Sequence, residues 1–141
     1  MERRTLQVVL AVLSVIPLLG LGIAWLRGPE FFFHGASGRV PNALDNQFRY
    51  LAGVYAGAVT GGLWWAIPRV ELRAVPVCIA ASAVFLGGLG RCVSMAAVGD
   101  PGDPTMIGGL LLELGVAPLL VLWQRRIARA EVLAREVPGP S

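Results

Sequence analysis

Two ionisable residues of opposite charge stand alone in apolar segments of this chain, and their position is its strongest indication of chemistry. Glu113 is the one charged residue within 106–123, and Arg91 is equally isolated in the apolar segment before it. An ionised side chain inside hydrocarbon costs roughly 2.5–3.5 kcal/mol on insertion scales, so it persists mainly where it is paired or lines a polar cavity. The pattern predicts that the two segments pack together with Arg91 and Glu113 paired between them.

Arg49 adds a second positive charge to this pattern. It follows Asp45 by four residues, a spacing that favours an ion pair on one helix face. If Arg49 lies at the same depth in the bundle as Arg91 and Glu113, the pattern predicts two arginines around one glutamate. The excess positive charge, presented by planar donor forks, suits a phosphate, a carboxylate or a quinone oxygen. A nearby phenol and a nearby hydroxyl would supply further hydrogen bonds. The predicted ligand-binding set is Asp45, Arg49, Tyr50, Arg91, Ser94 and Glu113.

Two other interpretations of Arg91 and Glu113 remain open. The pair could be a structural staple that holds two helices in register, or Glu113 could relay protons. The sequence contains no recognisable nucleophile–base pair, phosphate-binding loop or cluster of metal-ligating residues. We therefore predict no catalytic residue, no metal and no cofactor.

The composition predicts a membrane protein. Of the 141 residues, 55% are hydrophobic and 15% are charged, whereas soluble domains carry about 25% charged residues. The apolar residues fall into blocks near the ~20 residues that a helix needs to cross ~30 Å of hydrocarbon. We predict an all-α integral membrane four-helix bundle that forms a single domain. The predicted helices cover about 5–26, 48–67, 74–98 and 106–123, with a tail at 124–141, all within domain 1–141.

Local signals refine these boundaries. Asn42 and Asp45 are plausible caps for the second helix, because their side chains can accept orphan backbone N–H groups. Pro17 and Pro118 each remove one backbone hydrogen bond from a predicted helix, and Pro17 is expected to kink the first helix. Pro118 is expected to bend the fourth helix near Glu113.

Glycines mark the predicted packing surfaces. Gly53, Gly57 and Gly61 form two consecutive G-x-x-x-G steps, and Gly87 lies on the predicted face of Arg91. Small residues at such spacing let another helix approach closely. The four glycines are predicted helix-packing positions, and the G-x-x-x-G steps could serve either within the subunit or in a homo-oligomer.

The arginines predict the orientation. They flank apolar segments and form no basic stripe, so nucleic acid is not an expected partner. With four spans, two arginines lie on one side (Arg27 and Arg39), and eight lie on the side of the termini: Arg3, Arg4, Arg69, Arg73, Arg125, Arg126, Arg129 and Arg135. The positive-inside rule then places both termini in the cytoplasm of a bacterium, with the chain crossing the inner membrane several times.

Three motifs stand out in combination: DNQFRYLAG at 45–53, LGGLGR at 86–91 with Ser94 after it, and Glu113 followed by Pro118. With these motifs, the chain from Leu6 to about Arg126 resembles the small four-helix bacterial membrane proteins of domain-of-unknown-function family 4345. The resemblance implies a four-span membrane bundle and no assigned activity. A looser likeness to DoxX-like membrane proteins is an analogy of fold. The chain lacks the Cys or His pairs that a redox centre of its own would need.

These observations lead to a functional prediction. We expect a non-enzymatic accessory subunit or a binder of a lipophilic anionic molecule at an Arg/Glu cleft that opens to the outer leaflet. The alternative is a subunit of a quinone- or lipid-processing membrane enzyme. The expected partners are membrane lipid, a quinone or other lipophilic anion, and a homo-oligomer or larger membrane complex.

Overall fold

A computed structural model of the chain describes residues 1–32, 40–99 and 104–136. In these ranges the protein is a bundle of four helices with no β-strand. Helix α1 covers Glu2–Arg27 and is followed by a 3₁₀ turn at Pro29–Phe32. Helix α2 covers Asn42–Tyr55, a π-helical turn at Ala56–Gly61, and Gly62–Ala66, with a 3₁₀ turn at Ile67–Arg69. Helix α3 covers Ala74–Val98. Helix α4 covers Pro104–Leu111, a π-helical turn at Leu112–Val116, and Ala117–Glu136.

Each helix packs on the next along the chain, and α4 returns to contact α1. Three segments are long and apolar enough to cross a membrane, namely α1, Ala74–Ala97 of α3 and Met106–Arg135 of α4. The predicted fold class is therefore confirmed as a helical bundle with membrane-span candidates. The sequence predicts four spans, and the structure supports three by this criterion. In α2 the π-helical turn divides the helix into shorter α-helical pieces.

Helix boundaries agree with the prediction in α3 and differ in α2. Helix α2 begins at Asn42, six residues before the predicted start at 48, and Pro41 precedes it. The predicted caps are wrong, because no side chain caps this end. The backbone N–H groups of Leu44 and Asp45 donate to the carbonyl of Pro41 at 2.9 and 3.1 Å. The carbonyl of Pro41 therefore serves as the acceptor for the first turn in place of a capping side chain.

The two π-helical turns lie in α2 and α4. The turn in α4, Leu112–Val116, ends two residues before Pro118. Proline has no N–H, and its ring clashes with the carbonyl four residues earlier, so a wider turn relieves the conflict. The expected disturbance near Glu113 is therefore a π-helical turn that contains this residue. Helix α1 continues unbroken through Pro17.

The best-packed region lies at the end of the bundle that carries the termini. It contains one or two side chains from every helix and one from the α2–α3 connection: Leu6, Leu10, Ala66, Val70, Val77 and Ile127. These side chains are at most 7% exposed. Their burial fixes the positions of the helix ends around the connection.

Two glutamine side chains hold that connection. Gln7 of α1 donates from Nε2 to the carbonyls of Ile67 and Pro68 at 2.7 and 3.2 Å. Gln124 of α4 is fully buried and donates from Nε2 to the carbonyl of Val70 at 2.9 Å. Because buried backbone carbonyls need donors, these amides satisfy a turn that would otherwise lose hydrogen bonds.

Candidate functional site

The close approach of α3 and α4 positions the candidate site, and Gly88 makes that approach possible. A Cβ atom on Gly88 would lie 2.8 Å from Leu114 Cδ2 and 2.9 Å from Glu113 Cβ. Only glycine fits there without movement of the neighbouring helix. The sequence predicted Gly87 for this role, and that assignment is wrong, because a Cβ on Gly87 would meet nothing within 4 Å.

Arg91 lies about one helical turn after Gly88, and the structure brings it together with Glu113. Its Nε donates to both carboxylate oxygens, at 3.1 Å to Oε1 and 2.9 Å to Oε2. The pair is not enclosed between the helices as predicted, because the Arg91 side chain is 42% exposed and that of Glu113 is 19% exposed. Helix packing therefore fixes the glutamate, while the arginine lies at the bundle surface.

The geometry leaves much of the Arg91 guanidinium unused. Its ion pair with Glu113 engages Nε, and within the described part of the chain its Nη1 and Nη2 groups have no hydrogen-bond acceptor. Arginine carries five N–H donors, so the described residues leave four of them without an acceptor. Such donors are costly when they remain unsatisfied in hydrocarbon.

Tyr55 of α2 lies near this site, and sequence reasoning missed it. The half-buried side chain lies within electrostatic range of both Glu113 and Arg91. Its hydroxyl has no hydrogen-bond partner among the residues that the structure describes. The sequence selected Tyr50 instead, which is 61% exposed. No spacing along the chain links α2 to the α3–α4 pair, so the proximity of Tyr55 depends on tertiary packing alone.

Arg49 has a different role from the one that the sequence predicted. Its Nε and Nη2 donate to Asp45 at distances between 3.0 and 3.2 Å. Its Nη1 donates to the carbonyl of Trp25 and, at 3.2 Å, to the carbonyl of Leu26. The last carbonyls of a helix have no intrahelical partner, so Arg49 satisfies the C-terminal end of α1.

Gly28 completes this second cluster. Its φ of +70° belongs to the left-handed region that favours glycine. A Cβ there would lie 2.5 Å from Asp45 Oδ1 and 2.6 Å from Arg49 Nη2. The ion pair therefore occupies the space that a side chain on residue 28 would need, and it fastens the end of α1 to the start of α2.

Four of the six predicted site residues thus form two separate pairs, Asp45 with Arg49 and Arg91 with Glu113. In the described ranges, no hydrogen bond or ion pair joins Asp45 or Arg49 to Arg91 or Glu113. Each arginine has one carboxylate partner, so the predicted excess of positive charge around one glutamate does not form. Ser94 is exposed on α3.

The G-x-x-x-G glycines face open space. A Cβ on Gly53, Gly57 or Gly61 would meet nothing within 4 Å. Packing within the subunit is therefore wrong for these three positions. A homo-oligomer contact through them stays a prediction.

Three buried polar atoms lack hydrogen-bond partners within the described residues: Thr60 Oγ1, Glu71 Oε2 and Gln124 Oε1. Thr60 lies in the π-helical turn of α2, and Glu71 pairs through its other oxygen with Arg3 at 3.4 Å. Sequence reasoning selected none of the three. An isolated Gln at the end of an apolar segment was the available signal for Gln124.

Comparisons with curated proteins and with solved structures find no match to this chain. A family model does match, and it covers residues 5–124, from the first turn of α1 to Gln124 in α4. The matched range contains the Asp45–Arg49 and Arg91–Glu113 pairs. The chain belongs to the family defined by the domain of unknown function DUF4345.

Proposed function

We propose that this DUF4345 protein is a non-enzymatic membrane protein that binds the polar head group of a lipophilic molecule at Arg91 and Glu113. The observation that carries the proposal is that the Nη1 and Nη2 groups of a half-exposed arginine have no acceptor among the residues that the structure describes. Glu113 holds the guanidinium in place through Nε, so these donors are oriented before a ligand arrives. Preorganised donors bind an oxygen acceptor at a lower entropic cost than a mobile side chain does.

The depth of Arg91 in the bundle supports a lipophilic ligand. Arg91 precedes the end of α3 at Val98 by seven residues, which is roughly 10 Å of helix. In a bilayer, a side chain at this depth lies near the boundary between the head groups and the acyl chains. A molecule with an apolar tail and an oxygen-bearing head fits such a position better than a freely soluble one.

The orientation is part of the same proposal. Both termini lie in the cytoplasm of a bacterium, and the site opens to the outer leaflet of the inner membrane. The unequal distribution of arginines supports this arrangement. A cysteine introduced at Asp103 should react with a membrane-impermeant reagent in intact cells, whereas one introduced at Arg129 should react only after lysis. Labelling at Arg129 in intact cells would reverse the orientation.

Native mass spectrometry of the protein in gentle detergent tests the binding. The wild type should retain a stoichiometric small molecule, and Arg91→Gln should lose it. Arg135→Gln is the matched control, because Arg135 also pairs with a glutamate, at 3.3 Å from Glu131, but lies in the last turn of α4. A wild type without any adduct, or equal adducts on wild type and Arg91→Gln, would contradict the proposal.

A second candidate function is that of an accessory subunit. The open space beside Gly53, Gly57 and Gly61 favours it, because close helix packing at these positions can come only from another chain. The same mass spectra give the subunit count. A complex that Gly57→Leu disrupts, with no small molecule bound, would favour the accessory role over ligand binding. The enzyme-subunit alternative would require that Arg91 or Glu113 variants abolish turnover in a partner.

A further inference from the structure

We infer that the head group bound at Arg91 is an uncharged oxygen acceptor, such as a ketone, quinone or ester carbonyl, rather than a phosphate or carboxylate. This inference rests on the proposed function and names its ligand class. Its basis is the balance of charges and hydrogen-bond donors around Arg91, as the structure presents them.

The charge of Arg91 is already compensated. Both oxygens of Glu113 lie within 3.1 Å of Arg91 Nε. An acceptor bound at Nη1 or Nη2 therefore lies only a few ångströms from the carboxylate and experiences its repulsion together with the attraction of the guanidinium. Arg49 does not tip this balance, because it pairs with Asp45 and with the end of α1.

Desolvation then discriminates between charged and uncharged head groups. An anion that leaves water for a site of zero net charge gains little Coulomb energy to offset its large desolvation cost. A carbonyl oxygen loses far less hydration, and it gains hydrogen bonds from a charged donor, which are stronger than those between neutral groups. The compensated pair therefore favours an uncharged acceptor.

The unused hydrogen-bond capacity of Arg91 is of one kind. Among the described residues its Nη1 and Nη2 groups have no acceptor, and a guanidinium carries donors only. A ligand at these groups must therefore supply an acceptor oxygen. A carbonyl oxygen does so without bringing a second negative charge to the carboxylate of Glu113.

Three amphiphiles with the same 12-carbon tail test the inference: 2-dodecanone, dodecanoate and dodecyl phosphate. Their binding to the detergent-solubilised protein is measured by calorimetric titration. The part of each heat signal that Arg91→Gln abolishes is taken as specific binding. The part that remains in this variant includes partition of the amphiphile into micelles and is subtracted. The wild type should bind 2-dodecanone at least about tenfold more tightly than dodecyl phosphate, because a like charge within a few ångströms opposes the anion.

One variant sharpens this test. Glu113→Gln should reverse the preference toward dodecyl phosphate, since the guanidinium charge is then uncompensated. A wild type that prefers dodecyl phosphate or dodecanoate, or a Glu113→Gln variant that folds with an unchanged preference, would overturn the inference and leave the binding site intact. Absence of specific binding for all three amphiphiles would remove the proposed function itself.

Discussion

Arg49 and Arg91 are both paired with a carboxylate, and their side chains are similarly exposed, at 37% and 42%. They nevertheless differ in what their guanidinium groups can still do. Arg49 uses Nε, Nη1 and Nη2 within the protein, whereas Arg91 uses Nε alone among the described residues. The presence of a counter-ion therefore does not define the role of an arginine in this bundle. That role depends on how many of its N–H donors the fold leaves unused.

The difference follows from where each arginine meets its neighbour. Arg49 meets the end of α1, where the carbonyls of Trp25 and Leu26 lack intrahelical donors. Arg91 meets α4 near Glu113, where the backbone carbonyls belong to a continuing helix. The carbonyls at a helix end can therefore accept the terminal donors of an arginine, whereas the side of a continuing helix leaves those donors without an acceptor.

The largest expected effect comes from disrupting the Arg49 cluster through Gly28. Gly28→Ala combines a left-handed backbone with a Cβ placed 2.5 Å from Asp45 Oδ1. We expect a loss of roughly 3 kcal/mol in the free energy of unfolding. Gly99→Ala is the control, because φ is +106° there but nothing lies within 4 Å of the added Cβ. Denaturant titration should show a clearly smaller loss for Gly99→Ala. Equal losses would mean that Asp45 and Arg49 do not fill this space.

A smaller effect is expected at the Arg91 site through Gly88. Gly88→Ala should lower the free energy of unfolding by about 2 kcal/mol, because overpacking moves Glu113 and Leu114. Gly87→Ala should be neutral, since its Cβ meets nothing within 4 Å. Thermal unfolding of the two variants in the same detergent measures the contrast. If Gly87→Ala were destabilising and Gly88→Ala neutral, α4 would contact α3 at Gly87 and not at Gly88, which would contradict this account.

The smallest effect concerns the strength of the Arg91–Glu113 pair. A cycle of Arg91→Leu, Glu113→Leu and the double variant should give a coupling of about 1 kcal/mol, as for exposed pairs. A fully buried pair would instead lose about 3–5 kcal/mol when one partner alone is removed. A loss in that range for Glu113→Leu, recovered in the double variant, would show that Arg91 is enclosed and that its terminal donors are not available to a ligand.

The fold was largely predictable because its signals are local. The lengths of the apolar segments gave four helices, and α3 has the predicted bounds. The short connection between α3 and α4 makes them antiparallel neighbours, so the pairing of Arg91 with Glu113 followed from depth alone. Nothing in this step required knowledge of side-chain packing.

The assignment of faces was less predictable. A regular helix turns by 100° per residue, and a shift of one position separates Gly88 from the predicted Gly87. A π-helical turn changes that phase, so the faces of residues in α2 from Ala56 onward could not be projected from a regular helix. The role of Arg49 depends on the end of α1, which is distant in sequence.

The central claim is that Arg91 has terminal donors that the described part of the chain leaves free, and that Arg49 does not. Phenylglyoxal tests it directly, because the reagent condenses with guanidinium nitrogens, and the adducts at each arginine are quantified by peptide mass spectrometry. The side chains are 42% and 37% exposed, so exposure alone predicts similar rates. We expect Arg91 to react at least about fivefold faster, which corresponds to roughly one net hydrogen bond that must break at Arg49. Equal rates, or faster modification of Arg49, would contradict the account.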